Sequence, residues 1–121
     1  MAGRRVLVVD DRWTDLTLMA TALRQGGFDV MTANDGEGAL TMATVERPDC
    51  IVLDVVLPRQ NGFQLCRHLK QTAETRDIPV ILVSVKNTPA DQRWGIQQGA
   101  ARYLIKPFDS SMLLQSVQSV L

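Results

Sequence analysis

Asp10 and Asp11 follow directly on the apolar run Val6-Leu7-Val8-Val9, and Asp54 closes a second run, Cys50-Ile51-Val52-Leu53. Ser84 ends a third, Val80-Ile81-Leu82-Val83, and Lys106 a fourth, Tyr103-Leu104-Ile105. A carboxylate at the tip of a buried strand is costly unless something neutralises it. Three carboxylates gathered in one place repel each other and titrate as a coupled set. Oxygen-only donors, with no cysteine or histidine beside them, suit a hard cation, and Mg2+ binds through a few carboxylates plus waters. A cation, an ammonium and a hydroxyl around a carboxylate also make a phosphoryl site. Asp54 would be its nucleophile, and Lys106 and Ser84 would stabilise charge on the phosphoryl oxygens.

Singly, these residues have plainer explanations. Asp10 and Asp11 read as solvated acids, with Asp11 also a helix cap. Lys106 reads as a surface lysine before a proline turn, and serines end many strands. Asp54 resists this treatment, because an acid that ends an apolar run has no capping role. The chemistry therefore depends on whether the fold gathers the run ends.

Five apolar runs alternate with helix-like segments: 6–9, 28–33, 50–53, 80–83 and 103–105. Three are continuous rather than alternating, as expected of central parallel strands covered on both faces. Leu16, Met19, Ala20 and Leu23 repeat at helical spacing in the first intervening segment, which stops at Gly26-Gly27. The second helix follows Asn34-Asp35-Gly36 and ends before Pro48. Asn61 and Gln64 form a capping box for a third that buries Phe63, Cys66 and Leu69. Thr88-Pro89-Ala90-Asp91 starts a fourth, and the last, from Ser110, turns Leu113, Val117 and Val120 or Leu121 inward. The chain reads as an α/β fold, (βα)5, a doubly wound parallel sheet of order 2-1-3-4-5 with right-handed crossovers. In such sheets ligand chemistry collects at the carboxyl ends of the strands, where strand order reverses. The second run ends in Ala33-Asn34, without charge, and is the one expected outside the crevice. The fourth helix has a thin apolar stripe and an interior Gly95, which costs about 1 kcal/mol against alanine, so a mobile helix is expected.

At 121 residues the chain is expected to be one domain, residues 1–121, without an output domain. Thirteen basic and thirteen acidic side chains cancel, which gives no support to a nucleic-acid or membrane-surface role. No apolar run approaches the ~20 residues of a membrane span, and no signal peptide precedes the first strand, so a cytoplasmic protein is expected. Cys50 and Cys66 fit no zinc spacing and read as small core residues. The only histidine, His68, has no ligand-like neighbours and reads as a surface residue, and no G-x-S-x-G or Walker A sequence occurs.

Four stretches, "VVDD" (8–11), "VLDVVLPRQNGF" (52–63), "VILVS" (80–84) and "YLIKPF" (103–108), together resemble the receiver domain of two-component response regulators across essentially the whole chain. The resemblance implies a flavodoxin-like fold in which Asp54 accepts a phosphoryl group from a sensor histidine kinase or a small phosphodonor. It implies an Mg2+ site formed by Asp10, Asp11, Asp54 and the backbone carbonyl of Val56. Ser84 and Lys106 would hold phosphoryl oxygens, and the Lys106-Pro107 bond would be cis. Ser84 and Tyr103 would form the switch, with Tyr103 turning inward and altering the surface of the fourth helix, fifth strand and fifth helix, which a downstream protein reads. Val56 and Lys86 occupy the positions that tune phosphoryl lifetime. An apolar Val56 cannot orient an attacking water, so slow self-hydrolysis is expected.

Val85 departs from the smaller residue usual after Ser84 and would narrow access to Asp54. The stretch 86–100 is similar to single-domain regulators of pilus-driven motility and phototaxis. The resemblance implies a signalling switch, either a monomer or a phosphorylation-dependent dimer, and no enzyme beyond Mg-dependent self-phosphorylation and self-dephosphorylation. A phosphorelay intermediate or phosphate sink shares the same residues, and a non-phosphorylated docking module would have no use for all of them. A haloacid-type phosphatase would carry a second acid where Val56 stands. Trp13 and Trp94 read as exposed or partly buried helix residues, Trp94 being the better interface candidate.

Overall fold

The computed structural model describes residues 3–121. Strands and helices alternate without exception: β1 (Arg5–Val9), α1 (Trp13–Gln25), β2 (Asp29–Ala33), α2 (Gly36–Glu46), β3 (Cys50–Asp54), α3 (Gly62–Gln71), β4 (Val80–Ser84), α4 (Pro89–Gln97), β5 (Arg102–Ile105) and α5 (Ser110–Val120). The sheet has the order β2-β1-β3-β4-β5 and every neighbouring pair is parallel.

Residues of β1, β3 and β4 are apolar in unbroken runs because both faces of the sheet are covered. Leu7, Val9, Ile51, Leu53, Val80 and Leu82 point to one side, where they pack with Ala39 and Ala43 of α2 and Phe63, Leu65, Cys66 and Leu69 of α3. Val6, Val8, Cys50, Val52, Ile81 and Val83 point to the other, against Met19 and Leu23 of α1 and Leu113 and Val117 of α5. Each fully buried aliphatic side chain contributes about 1.5–3 kcal/mol, so the two slabs fix the strand register firmly. Cys50 and Cys66 lie in these slabs, and His68 is exposed.

The helix starts follow the sequence at four places. Asp35 accepts from the Gly38 N–H and Asp109 from the Met112 N–H. Asn61 with Gln64, and Thr88 with Asp91, form complete capping boxes. The start of α1 differs: its N-cap is Arg12, without a side-chain cap, so Asp11 does not cap this helix. The carboxylate that turns back here belongs to Asp10, whose Oδ1 accepts from the Arg12 N–H at 2.9 Å.

Gly95 has a reason that helix propensity alone hides. It is the one buried residue of α4, and a Cβ there would lie 2.8 Å from Cδ2 of Tyr103 and 3.0 Å from Cδ1 of Leu82. The glycine makes room for the tyrosine ring beneath the helix.

Candidate phosphoryl and cation site

Sheet register brings the acidic tips together. Val9 pairs with Leu53, so Asp10 and Asp54, each one residue further on, stand side by side at the carboxyl edge. Asp54 in turn pairs with Val83, and Ser84 with Ile105, which places Ser84 and Lys106 along the same edge. One carboxylate oxygen from each of Asp10, Asp11 and Asp54 lies within 4.8 Å of the others. Octahedral Mg2+ holds its oxygens at about 2.0–2.1 Å, so opposite ligands stand about 4 Å apart. Three carboxylates at this spacing, with Asp11 open to solvent, fit a hard cation that keeps several waters. They are Asp10 and Asp54 from inside and Asp11 from outside.

Lys106 answers the buried charge. Its Nζ donates to Oδ2 of Asp10 at 2.9 Å, of Asp15 at 3.0 Å and of Asp54 at 3.2 Å. The side chains of Asp10 and Asp54 are 0% and 4% exposed, and that of Lys106 14%. Burial alone would lower the Lys106 pKa, but its hydrogen bonds to Asp10 and Asp15 outweigh that and hold the ammonium charged. For Asp54 the balance runs the other way. Desolvation, then the neighbouring Asp10 charge, push its pKa up to about 6, and Lys106 and the Val56 N–H only partly offset them.

Around this centre the remaining candidates take different positions. The Val56 N–H donates to Asp54 Oδ1 at 3.2 Å while its side chain is half exposed. Ser84 is fully buried, and its Oγ accepts from the Lys86 N–H at 3.0 Å, which leaves its own proton to donate. Tyr103 sits farther out: its hydroxyl donates to the Lys86 carbonyl at 2.8 Å and its ring stacks on Phe63, centroids 6.4 Å apart. Lys86 is thus a backbone junction between the loop of Ser84 and the ring of Tyr103. The Lys106-Pro107 peptide bond is cis. Val85 is 64% exposed and lines a cleft with Asp15, Lys106 and Phe108.

Asp15 is the residue that sequence reading missed. It stands in the first turn of α1, where an acid is explained by the helix dipole alone. The available signal was its spacing, one helical turn beyond the Asp10-Asp11 pair and on the side that faces the fifth run end.

Comparison with known proteins follows the same outline. The sequence profile of the response regulator receiver domain matches residues 6–118. Protein PilH of Pseudomonas aeruginosa is 41% identical over 117 residues, 97% of each chain. Response regulator PleD of Caulobacter vibrioides is 41% identical over 116 residues, but the chain spans only 26% of that protein. The chemotaxis response regulator CheY4 of Vibrio cholerae superposes with a TM-score of 0.93 at 31% identity, over 99% of this chain and 100% of that one. The receiver domain of a sensor histidine kinase from P. aeruginosa, solved with magnesium coordinated in its active site cleft, gives 0.90 at 30% identity, over 98% and 97%. With its acidic strand tips, its basic counter-ion and its strand order all of one pattern, the chain belongs to the response regulator receiver domain family, the signalling modules of two-component systems.

Proposed function

We propose that this chain is a phosphorylation switch in which Asp54 takes a phosphoryl group from a sensor histidine kinase and a downstream protein reads the result. The observation that carries the reading is the Asp54 carboxylate itself: buried, beside Asp10 and Asp11, and 3.2 Å from the Lys106 ammonium. A pKa near 6 leaves Asp54 mostly ionised at neutral pH, the form that attacks phosphorus. Its oxygen forms the new P–O bond as the P–N bond of a phosphohistidine breaks, and the leaving imidazole keeps the electron pair. Asp10, Asp11, Asp54 and the Val56 carbonyl would hold Mg2+, which supplies positive charge for the phosphoryl oxygens when bound. Lys106 supplies a second positive charge and the Ser84 hydroxyl a donor, since the bond from the Lys86 N–H uses its oxygen and not its proton.

The addition of about −1.5 to −2 charges biases two packings of the molecule. The Ser84–Lys86–Tyr103 connection supports a route for that bias from β4 to the face of α4, β5 and α5. Slight burial of α4, with Gly95 as its one buried residue, suits a moving part. Trp94 of α4 is half exposed, beside a cleft that it lines with Arg67, Lys70 and Gln71 of α3, and is available to a partner. Likeness to PilH and CheY4 supports motility as the setting, acting from the cytoplasm, as a monomer or as a dimer formed on phosphorylation. Likeness to a kinase-borne receiver domain supports a second reading, a phosphorelay intermediate, which separates from the first by transfer of the phosphate onward to a second histidine protein.

Incubation with Mg2+ and an acyl-phosphate donor, followed by intact mass, tests the reading. One added phosphate is expected on the wild type and none on Asp54→Asn. Absence of an adduct with this donor and with a cognate kinase would leave only a docking module. Val56 and Lys86 would set the adduct's lifetime. Val56→Asn, which puts an amide able to orient water beside Asp54, is expected to shorten the half-life several-fold, and equal half-lives would remove that role for Val56.

A further inference from the structure

Lys106 has three N–H protons, and three different carboxylates take them, at 2.9, 3.0 and 3.2 Å. Two of these, Asp10 and Asp54, belong to the cluster that would hold the cation, whereas Asp15 stands outside it. Asp15 is also the most accessible of the three, its side chain 32% exposed against 0% and 4%. Its Oδ2 faces Lys106 on one side and lies 3.9 Å from Nε of Arg12 on the other. Position on α1 by itself explains an acid here, but not an oxygen directed at the ammonium that the site depends on.

We propose that Asp15 is a positioning residue that holds part of the Lys106 charge away from Asp10 and Asp54, so that those carboxylates stay available to the cation. The inference rests on the reading of Asp10, Asp11 and Asp54 as an Mg2+ site. A lysine shared among three carboxylates competes less for any one of them than a lysine shared between two. When a cation draws on Asp10 and Asp54, Asp15 still gives the ammonium a carboxylate partner, so the lysine is not stranded in a partly dry crevice, where an unpaired charge is costly. Without Asp15, Lys106 presses onto Asp10 and Asp54, and the cation must displace it without compensation. Asp15 therefore acts through Lys106 and is not itself a ligand.

Calorimetric titration of the whole chain with magnesium chloride, without any phosphodonor, reads this directly. Asp15→Asn keeps the size of the side chain and is expected to raise the magnesium Kd about fivefold or more, through its coupling to Lys106. Asp15→Glu, which restores the charge, is expected to recover most of the loss. In a Lys106→Ala background the same Asp15→Asn change is expected to cost only about twofold, the residue of a screened charge acting through space. Equal losses in the two backgrounds would show Asp15 acting by its field alone and would overturn the proposal. So would an Asp15→Asn protein that binds magnesium as the wild type does. A wild type that takes the phosphate adduct while Asp15→Asn leaves magnesium affinity unchanged defeats this inference and spares the switch. A wild type that binds no magnesium defeats both.

Discussion

Near neutral pH and without divalent cation, Asp54→Asn is expected to be more stable than the wild type by on the order of 2–3 kcal/mol, about 10 °C in Tm. The cause is the cost of holding this carboxylate ionised where it is. Asp54 is 3% exposed and faces Asp10, and its pKa rises from 3.8 to about 6. A rise of that size corresponds to about 3 kcal/mol, at about 1.4 kcal/mol per pH unit. An acid whose folded pKa is raised binds protons more tightly in the folded state. Between 3.8 and about 6 the folded protein therefore carries more protons than the unfolded chain, and this group makes stability fall as pH rises. Above that window the full cost is present, and below 3.8 it is gone. Asparagine keeps the size and can still meet the Val56 N–H and the Lys106 ammonium, without the charge. Urea unfolding of the two proteins across the acid range checks this: the stability difference should be near zero at the acid end and level off above about pH 7. A difference that is flat with pH, or a less stable Asp54→Asn, would mean that Lys106 already neutralises Asp54 completely. Saturating magnesium should narrow the gap, because binding stabilises the wild type more than a variant that lacks one ligand charge.

Gly62→Ala is expected to cost about 3 kcal/mol and to remove most of the phosphate adduct proposed for Asp54, because one atom would strike the strand that carries that residue. Gly62 opens α3 directly over the end of β3, and its N–H donates to the Val55 carbonyl at 2.7 Å. A Cβ there would fall on the Asp54 carbonyl oxygen, 2.7 Å from the Val55 Cα and 2.9 Å from the Asp54 carbonyl carbon. All three obstacles are backbone, so no rotamer relieves them. Either α3 lifts from the sheet, exposing part of the core that Phe63 and Leu65 fill, or the loop after Asp54 shifts, moving the Val56 carbonyl. Gly36, first residue of α2, is the internal control. A Cβ there meets a side-chain oxygen of Gln60 at 3.0 Å, which can swing aside. Gly36→Ala should therefore leave the urea midpoint and the adduct nearly unchanged. If Gly62→Ala unfolds at the same urea concentration as the wild type, the close approach of α3 to β3 is not a constraint on the site.

Much of this molecule is local in origin and was readable in order along the chain. Continuous runs such as Cys50–Leu53 and Val80–Val83 announce strands buried on both faces, because no solvated face interrupts them with polar residues. Asn61 with Gln64 and Thr88 with Asp91 announce helix starts, since a capping box needs only residues three apart. Asp54 stands out because a charge that ends an apolar run conflicts with its surroundings, whereas Lys106 gains meaning only from the constellation. Asp11 is ambiguous for the opposite reason: an acid before a helix has a ready capping role, yet the backbone there turns so that Asp10 takes the Arg12 N–H instead.

Tertiary structure alone decided which charges meet. Lys106 reaches Asp10, Asp15 and Asp54 across 96, 91 and 52 residues of chain, a convergence set by strand order and register that no short spacing encodes. Gly95 is a weak point by helix propensity alone, and its purpose lies in the Tyr103 ring that packs beneath it. Sequence determined the strands, the helix ends and the acidic tips, all consequences of contacts within a few residues. The shared lysine, the third carboxylate and the berth for the tyrosine came only when distant segments were brought within contact distance, where desolvation and packing act.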